Sequence, residues 1–229
     1  MDVFEAIRTR QSCRRFLDRP VPFEIVRDIL DTARWSPSGT NVQPWFVHVL
    51  TGAPLHELTE KILCQPELFP GGEGAEYYIH PPGMGDPYRA RQYAVARQLY
   101  GSVGIERGDK AGRTQQFVEN FRFFRAPVGL FFSIDRIMDK GAWGDIGMFI
   151  QSVMLAARGH GLHTCPQQAW AHWPKTVGKH LKLAENQQLY CGMSMGYMDE
   201  DHPVNSWRTE RQEVEEFTVF SGFEDALGG

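Results

Sequence analysis

Only four cysteines occur in the 229 residues, Cys13, Cys64, Cys165 and Cys191. They are far apart, with no CxxC and no Cys/His pairing at zinc-finger spacing. This pattern signals neither a disulfide scaffold nor a structural zinc, and a reducing cytoplasm is the expected compartment. No apolar run approaches the roughly 20 residues that span a bilayer, and the N-terminus, MDVFEAIRTRQSCRRF, lacks the apolar stretch of a secretory signal. A soluble intracellular protein with no membrane partner is the expectation. A surplus of positive charge is missing too: 24 basic side chains face 28 acidic ones, a formal charge of -4. No global positive field exists to hold nucleic acid. The phosphate-loop pattern GxxxxGKS/T is absent, GSVGIERG has neither GxGxxG spacing nor a strand before it, and HExxH is absent among eight dispersed histidines. A P-loop, a Rossmann dinucleotide site and a metal centre are therefore not expected.

What is present is enough for a real core. The residues are 42% hydrophobic, 12% aromatic and 23% charged, the balance of an ordinary globular chain. Apolar spacing predicts a short helix over 2 to 10, with Asp2 as its cap, and a second over 22 to 35 that Pro37 ends. WFVHVL (45 to 50) reads as a strand and 53 to 65 as a helix. Between Leu68 and Tyr88 the chain turns rich in Gly and Pro, with Phe69, Tyr77, Tyr78 and Ile79 interleaved. That composition suits an ordered excursion, at about 69 to 87, better than a linker. Two helices broken near Gly101 and Gly104 to Gly108 follow, and APVGLFFSID is a buried-strand pattern. The segment 142 to 158 is apolar almost all round and belongs at the centre or in a subunit interface. GHGLHTCP reads as a tight loop, 188 to 197 as the last core strand, and the tail from Arg208 to Phe223 alternates weakly. Without a βαβα rhythm, the expected fold is one α+β domain over 1–229, a mixed, mainly antiparallel sheet flanked by helices.

Two constellations invite chemistry. RTRQSCRR (8 to 15) gathers Arg8, Arg10, Arg14 and Arg15 with Ser12 where a helix gives way to extended chain. Guanidinium forks and a hydroxyl suit a phosphate monoester; a solvated basic face has the same composition. SPSGTNVQPW (36 to 45) lies between a helix and a strand, with Ser38, Thr40, Asn41 and Gln43 offering donors and acceptors on a backbone shaped by Pro and Gly. It could grip the edge of a flat ring, or hydrogen-bond only itself. GLHTCPQQAW (161 to 170) and the late pair Arg208 and Arg211 in WRTER are less specific. His163 reads as a loop histidine and Cys165 as a small apolar residue.

Taken in order, RxRxSxRRF, Pro20-Val21, ARWSPSGTNVQPW, an apolar helix leading to GLHTCP, and a glycine-bearing strand followed by RTER resemble the FMN-dependent nitroreductase family nearly end to end. The resemblance implies an intertwined homodimer with FMN at the interface. It implies that Arg10, Ser12 and Arg14, with Gln11 alongside, hold the phosphate and ribityl chain. Arg211 is the implied late phosphate partner, and Arg208 an adjacent candidate. Pro37, Ser38, Gly39 and Asn41 resemble the segment that the partner subunit lays against the isoalloxazine, with Gln43 near it. Gln168 and Ala169 resemble the stretch whose backbone meets the ring, and Gln151 and Arg122 are further candidates for its heteroatoms. Tyr77, Tyr78, Phe123 and Phe124 are candidates to stack on an aromatic substrate or else are ordinary core aromatics. Gln11 departs from the family, standing where a second basic residue or histidine is common, and the excursion has no assured counterpart in small members.

The implied reaction is ping-pong: NAD(P)H delivers hydride to flavin N5 and leaves, and an electron-poor nitroaromatic takes its place and is reduced to nitroso and hydroxylamine products. The cofactor does the chemistry, and no side-chain acid or base is required. Alternatives on the same fold are a flavin or quinone reductase, a reductive dehalogenase, and a flavin-binding module of low turnover.

Overall fold

The structure, a computed structural model, describes residues 1–65 and 71–223; Phe69 lies outside them. Four strands form one sheet in the order β1 (Trp45–Thr51), β2 (Val128–Asp135), β4 (Gln187–Gly196), β3 (His163–Gln167). Every neighbouring pair is antiparallel. The sheet is thus less mixed than the sequence suggested: among the described residues parallel pairing occurs only as an isolated bridge from Ser12 to Thr164.

The order follows from burial. β2 is VGLFFSID, buried along nearly its whole length, as a central strand covered on both faces must be. On one face α2 (Phe23–Ala33) and α6 (Lys140–Gly159) pack Val26, Ile29, Ile146, Phe149 and Val153 against Leu130, Phe132 and Met193. On the other, α3 (Gly52–Leu63) and α7 (Pro174–Leu181) bring Leu58, Ile62 and Val177 to Phe131 and Trp170. α1 (Val3–Thr9) is capped by Asp2, whose carboxylate accepts from Glu5 N at 2.8 Å. α4 (Tyr88–Ser102) and α5 (Lys110–Val118) bury no residue and stand outside both layers.

Two local expectations are corrected. GHGLHTCP is not all loop: Gly161, at φ +71°, makes the turn, and His163–Gln167 then forms β3. Pro166 has no N–H to give, which an edge strand tolerates. Phe123 and Phe124 are core residues, 0% and 2% exposed, so they do not reach a substrate. They belong to the 3-10 segment Glu119–Arg125, where Phe123, Phe124 and Arg125 all have φ between +50° and +70°. Such a left-handed run of non-glycine residues is costly and persists only where packing enforces it. Here the Phe123 ring stacks on Trp170 at 4.7 Å and covers Gly129, where a Cβ would fall 2.7 Å from it.

Candidate active site

The first turn after α1 sets the site. Arg10 caps the helix in an extended conformation, and the chain then lies against the outer edge of β3, with Cys13 N donating to Thr164 O at 3.0 Å. A cavity of about 480 Å³ opens beside this stretch. Arg8, Arg10, Arg14 and Ser12 line it from the N-terminal side, Arg208 and Arg211 from the C-terminal side. Both late arginines therefore belong to the same wall. Arg208 donates to the carbonyls of Arg8 and Arg10, and Arg211 folds back onto Thr209 and the Glu210 carbonyl. Arg14 lies over the Trp207 ring, 5.6 Å from its centroid. Gln11 reaches the cavity wall, but its amide is committed to Asn205 O at 3.1 Å and to Met198 Sδ.

Among the described residues none of these five arginines has a carboxylate within 4.0 Å. Burial lowers the Arg10 pKa, and the positive charges of Arg211 and then Arg208 lower it further. Cations crowded together without a counter-ion are a site that an anion completes, and planar guanidinium forks with a hydroxyl are the donor set of a phosphate.

From Thr164, β3 carries the chain roughly 10 Å along the sheet to Gln167. Gln167 is buried and locked: its Nε2 donates to Asn120 O at 2.7 Å and its Oε1 accepts from Ser194 Oγ at 2.6 Å. Gln168 and Ala169 follow on the accessible side and open on a second cavity of about 620 Å³. Its other walls include Tyr77, Tyr78, His80, Asn120 and His172. Burial holds the His172 imidazole below its ordinary 6.5. The Tyr77 hydroxyl donates to Tyr190 O and its ring meets Trp143 edge-on at 4.8 Å, so Tyr77 is a structural wall; Tyr78 is 82% exposed and free to turn toward a ligand.

The described part of the excursion is stapled beside this cavity, and its residues Ala75 and Tyr77 to His80 supply part of the wall. The Glu73 carboxylate accepts from Lys175 N, Thr176 N and Thr176 Oγ1 at 2.6–3.2 Å, filling the open donors at the start of α7. Gly72 sits at φ +52°, where a Cβ would lie 2.8 Å from His172 O, so only glycine allows this approach. Glu76 pairs with Arg136 at 2.9 Å.

The loop from Pro37 to Gln43 is ordered by itself and points outward. Ser38 Oγ accepts from Gln43 N at 3.0 Å, Gly39 N donates to Asp145 Oδ2 at 3.2 Å, and Thr40, Asn41 and Gln43 have positive φ. Pro37, Gly39, Asn41 and Gln43 are exposed, and neither cavity is lined by any residue of this loop in a single chain. Gln151 is half-buried on α6 and lines neither cavity. Arg122 is tied to Glu119 at 2.8 Å and faces a different cavity, shared with Arg15 and Arg125. His163 is buried, its Nε2 2.6 Å from Arg158 Nη1, and burial and that cation depress its pKa to about 4. Trp207, Asn205, His80, Asn120 and His172 were missed by sequence reasoning; only Trp207, beside Arg208, carried a local hint. Among the described residues no three His, Cys, Asp or Glu side chains form a metal cluster.

The model of the nitroreductase family matches residues 7–197. The chain is 40% identical to the 4-nitrobenzoate reductase of Pseudomonas putida over 97% of both chains. It is 40% identical to the chloronitrobenzene nitroreductase of Comamonas testosteroni over 94% of this chain and 95% of that one. The FMN- and NADPH-dependent nitroreductase NfnB of Sphigopyxis sp. strain HMH superposes with a TM-score of 0.94 at 41% identity, covering 97% of this chain and all of that one. With the family model spanning most of its length and relatives of 40% identity covering nearly all of it, the chain belongs to the nitroreductase family.

Proposed function

We propose that this protein is an FMN-dependent oxidoreductase that uses NAD(P)H to reduce nitroaromatic compounds to nitroso and hydroxylamine products. The observation that carries the reading is the arginine cradle, five guanidiniums with no carboxylate within 4.0 Å among the described residues, at one end of a strand whose other end opens on an aromatic, polar cavity. The relatives named as nitrobenzoate, chloronitrobenzene and FMN- and NADPH-dependent nitroreductases support the same conclusion. Bound along β3, FMN would supply the two-electron centre that accepts from NAD(P)H and donates to the nitro group.

The chain's own work is to bind, orient and exclude water. Arg10, Arg14, Arg208 and Arg211, with Ser12, would hold the phosphate by charge-assisted hydrogen bonds. Gln168 and Ala169 would meet the ring edge, and the backbone there is fixed because Gln167 beside it is locked on both sides. The Glu73 staple fixes the described part of the excursion beside the ring-end cavity, with Tyr78 as the aromatic side chain available to an aromatic acceptor. Polar groups already aimed at a site cost no reorganisation when charge develops there.

The working unit in this proposal is a homodimer in the cytoplasm. Phe4, Phe23, Trp35 and Val219 are 67%, 72%, 79% and 91% exposed, more apolar surface than a solitary chain carries comfortably. A second copy would bring its own 37–43 loop to the ring end, which explains why that loop is outward-facing and preformed. Among the described residues no helix is long and apolar enough to cross a membrane, and all four cysteines are free, as in a reducing compartment.

The test is a visible spectrum of the purified protein under anaerobic conditions. Flavin bands that bleach on NADPH or NADH and return on 4-nitrobenzoate are expected. A protein that stays colourless after incubation with FMN overturns the proposal.

A further inference from the structure

The cradle draws its arginines from opposite ends of the chain, and their like charges repel one another. The contacts of Arg208 with the carbonyls of Arg8 and Arg10 work against that repulsion, and a neutral group can add to their hold without adding charge. The structure contains one, Asn205, 7% exposed at the end of the 3-10 turn Pro203–Asn205. Its Oδ1 accepts from Arg14 N at 2.8 Å. Its Nδ2 donates to Arg15 O and to Asp199 O, both at 2.8 Å. Its own carbonyl accepts from Gln11 Nε2 at 3.1 Å. Both amide protons and the amide oxygen are thus spent on the backbone of two segments nearly two hundred residues apart in sequence. Asn205 itself does not line the cavity.

The consequences reach the cavity through its neighbours. Three residues on, Arg208 bonds the carbonyls of Arg8 and Arg10, and Trp207 lies beneath the Arg14 guanidinium. The register of both contacts depends on where Asn205 pins the chain. We infer that Asn205 is a positioning residue of the phosphate cradle, one whose neutral amide sets the N-terminal and C-terminal arginines at a common distance from one anion. A carboxylate at this place would leave Arg15 O and Asp199 O without their donors. It would also set a fixed negative charge beside Arg14, filling the part that the ligand is to play. An amide alone supplies the acceptor and both donors at no cost in charge.

The inference rests on the reading that the cradle holds the FMN phosphate, so its test separates the two. Apoprotein is titrated with FMN and with riboflavin, which lacks the phosphate, for the wild type and for Asn205→Ala, with melting curves of each apoprotein. Wild type should prefer FMN. Asn205→Ala should lose roughly 10-fold to 100-fold in FMN affinity, about the worth of a charge-assisted hydrogen bond, with riboflavin affinity unchanged. Equal loss for both flavins, or none for either, overturns the positioning role while leaving the flavin reading intact. A wild type that binds the two flavins equally, or neither, overturns the cradle assignment and this inference with it. If Asn205→Ala does not fold, Asn205→Ser gives up the amide's reach and one of its two donors while adding no charge to the cradle. The same selective loss of FMN is expected of it, and retention of the full preference overturns the inference.

Discussion

Thr164 and Trp170 lie a few residues apart, yet the cradle that starts beside the first and the aromatic cluster that encloses the second are held by opposite means. Trp170 is fully buried, with Phe123 stacked at 4.7 Å and Phe121 and Phe131 edge-on at 5.3 and 5.1 Å. The fit leaves no slack: a Cβ at Gly192 would fall 2.4 Å from the indole. Every gain there is made once, on folding. The cradle is the reverse, an open set of like charges that gains only when an anion arrives. The lesson is that one short stretch can serve both: the outer edge of β3 holds the 10–15 segment, and the 3-10 turn Gln168–His172 that follows carries Trp170 into the core. Stability should therefore divide into a part that ligand does not touch and a part that ligand alone supplies.

The sharpest way to break that division is at Trp170. Trp170→Ala should cost about 3–5 kcal/mol from lost burial and the cavity left behind, read as a much lower apoprotein melting temperature. Its losses should fall on FMN and riboflavin binding alike. The double variant Arg10→Ala with Arg14→Ala should do the opposite. FMN affinity should fall by roughly 100-fold or more as two charge-assisted contacts go, while the apoprotein melts no lower than the wild type, because repulsion has been relieved. An apoprotein as unstable as Trp170→Ala would erase the contrast between the regions.

A smaller effect is expected at His163, where β3 begins. Its pKa is depressed from 6.5 to about 4 by burial and then by Arg158. Between those values the unfolded chain binds a proton that the folded chain does not. Stability should therefore fall as pH drops from about 6.5 toward about 4 and gain nothing from this group above it. In His163→Gln the melting temperature should depend less steeply on pH across that window; an unchanged slope would assign the acid sensitivity to other groups.

How much of this was legible beforehand depended on whether the signal was local. α2, α6, β2 and β4 carry their burial in periodic apolar residues, and they form where the pattern puts them. β3 carries no such pattern: HTCPQ neither alternates nor is rich in β-formers, and it is a strand because β4 offers an edge. Phe123 and Phe124 looked available because nothing in FRFFR says which ring turns inward; the left-handed turn decided it. In the candidate site, the N-terminal half of the cradle was readable because Arg10, Ser12 and Arg14 sit within one short segment. Arg208 and Arg211 were assigned to it through the family resemblance alone, because the contacts that bring Arg208 to Arg8 O and Arg10 O join residues about two hundred apart in sequence.

The sequence by itself determined the family, the α+β class and the arginine-rich segment, since charge, periodicity and motif spacing are properties of neighbouring residues. Only the tertiary structure decided which arginines share a cavity, which aromatics line it and which are core, and what pins the two chain ends together. Those are matters of burial and of contacts between residues far apart in sequence, and their energies exist only once the chain has closed on itself.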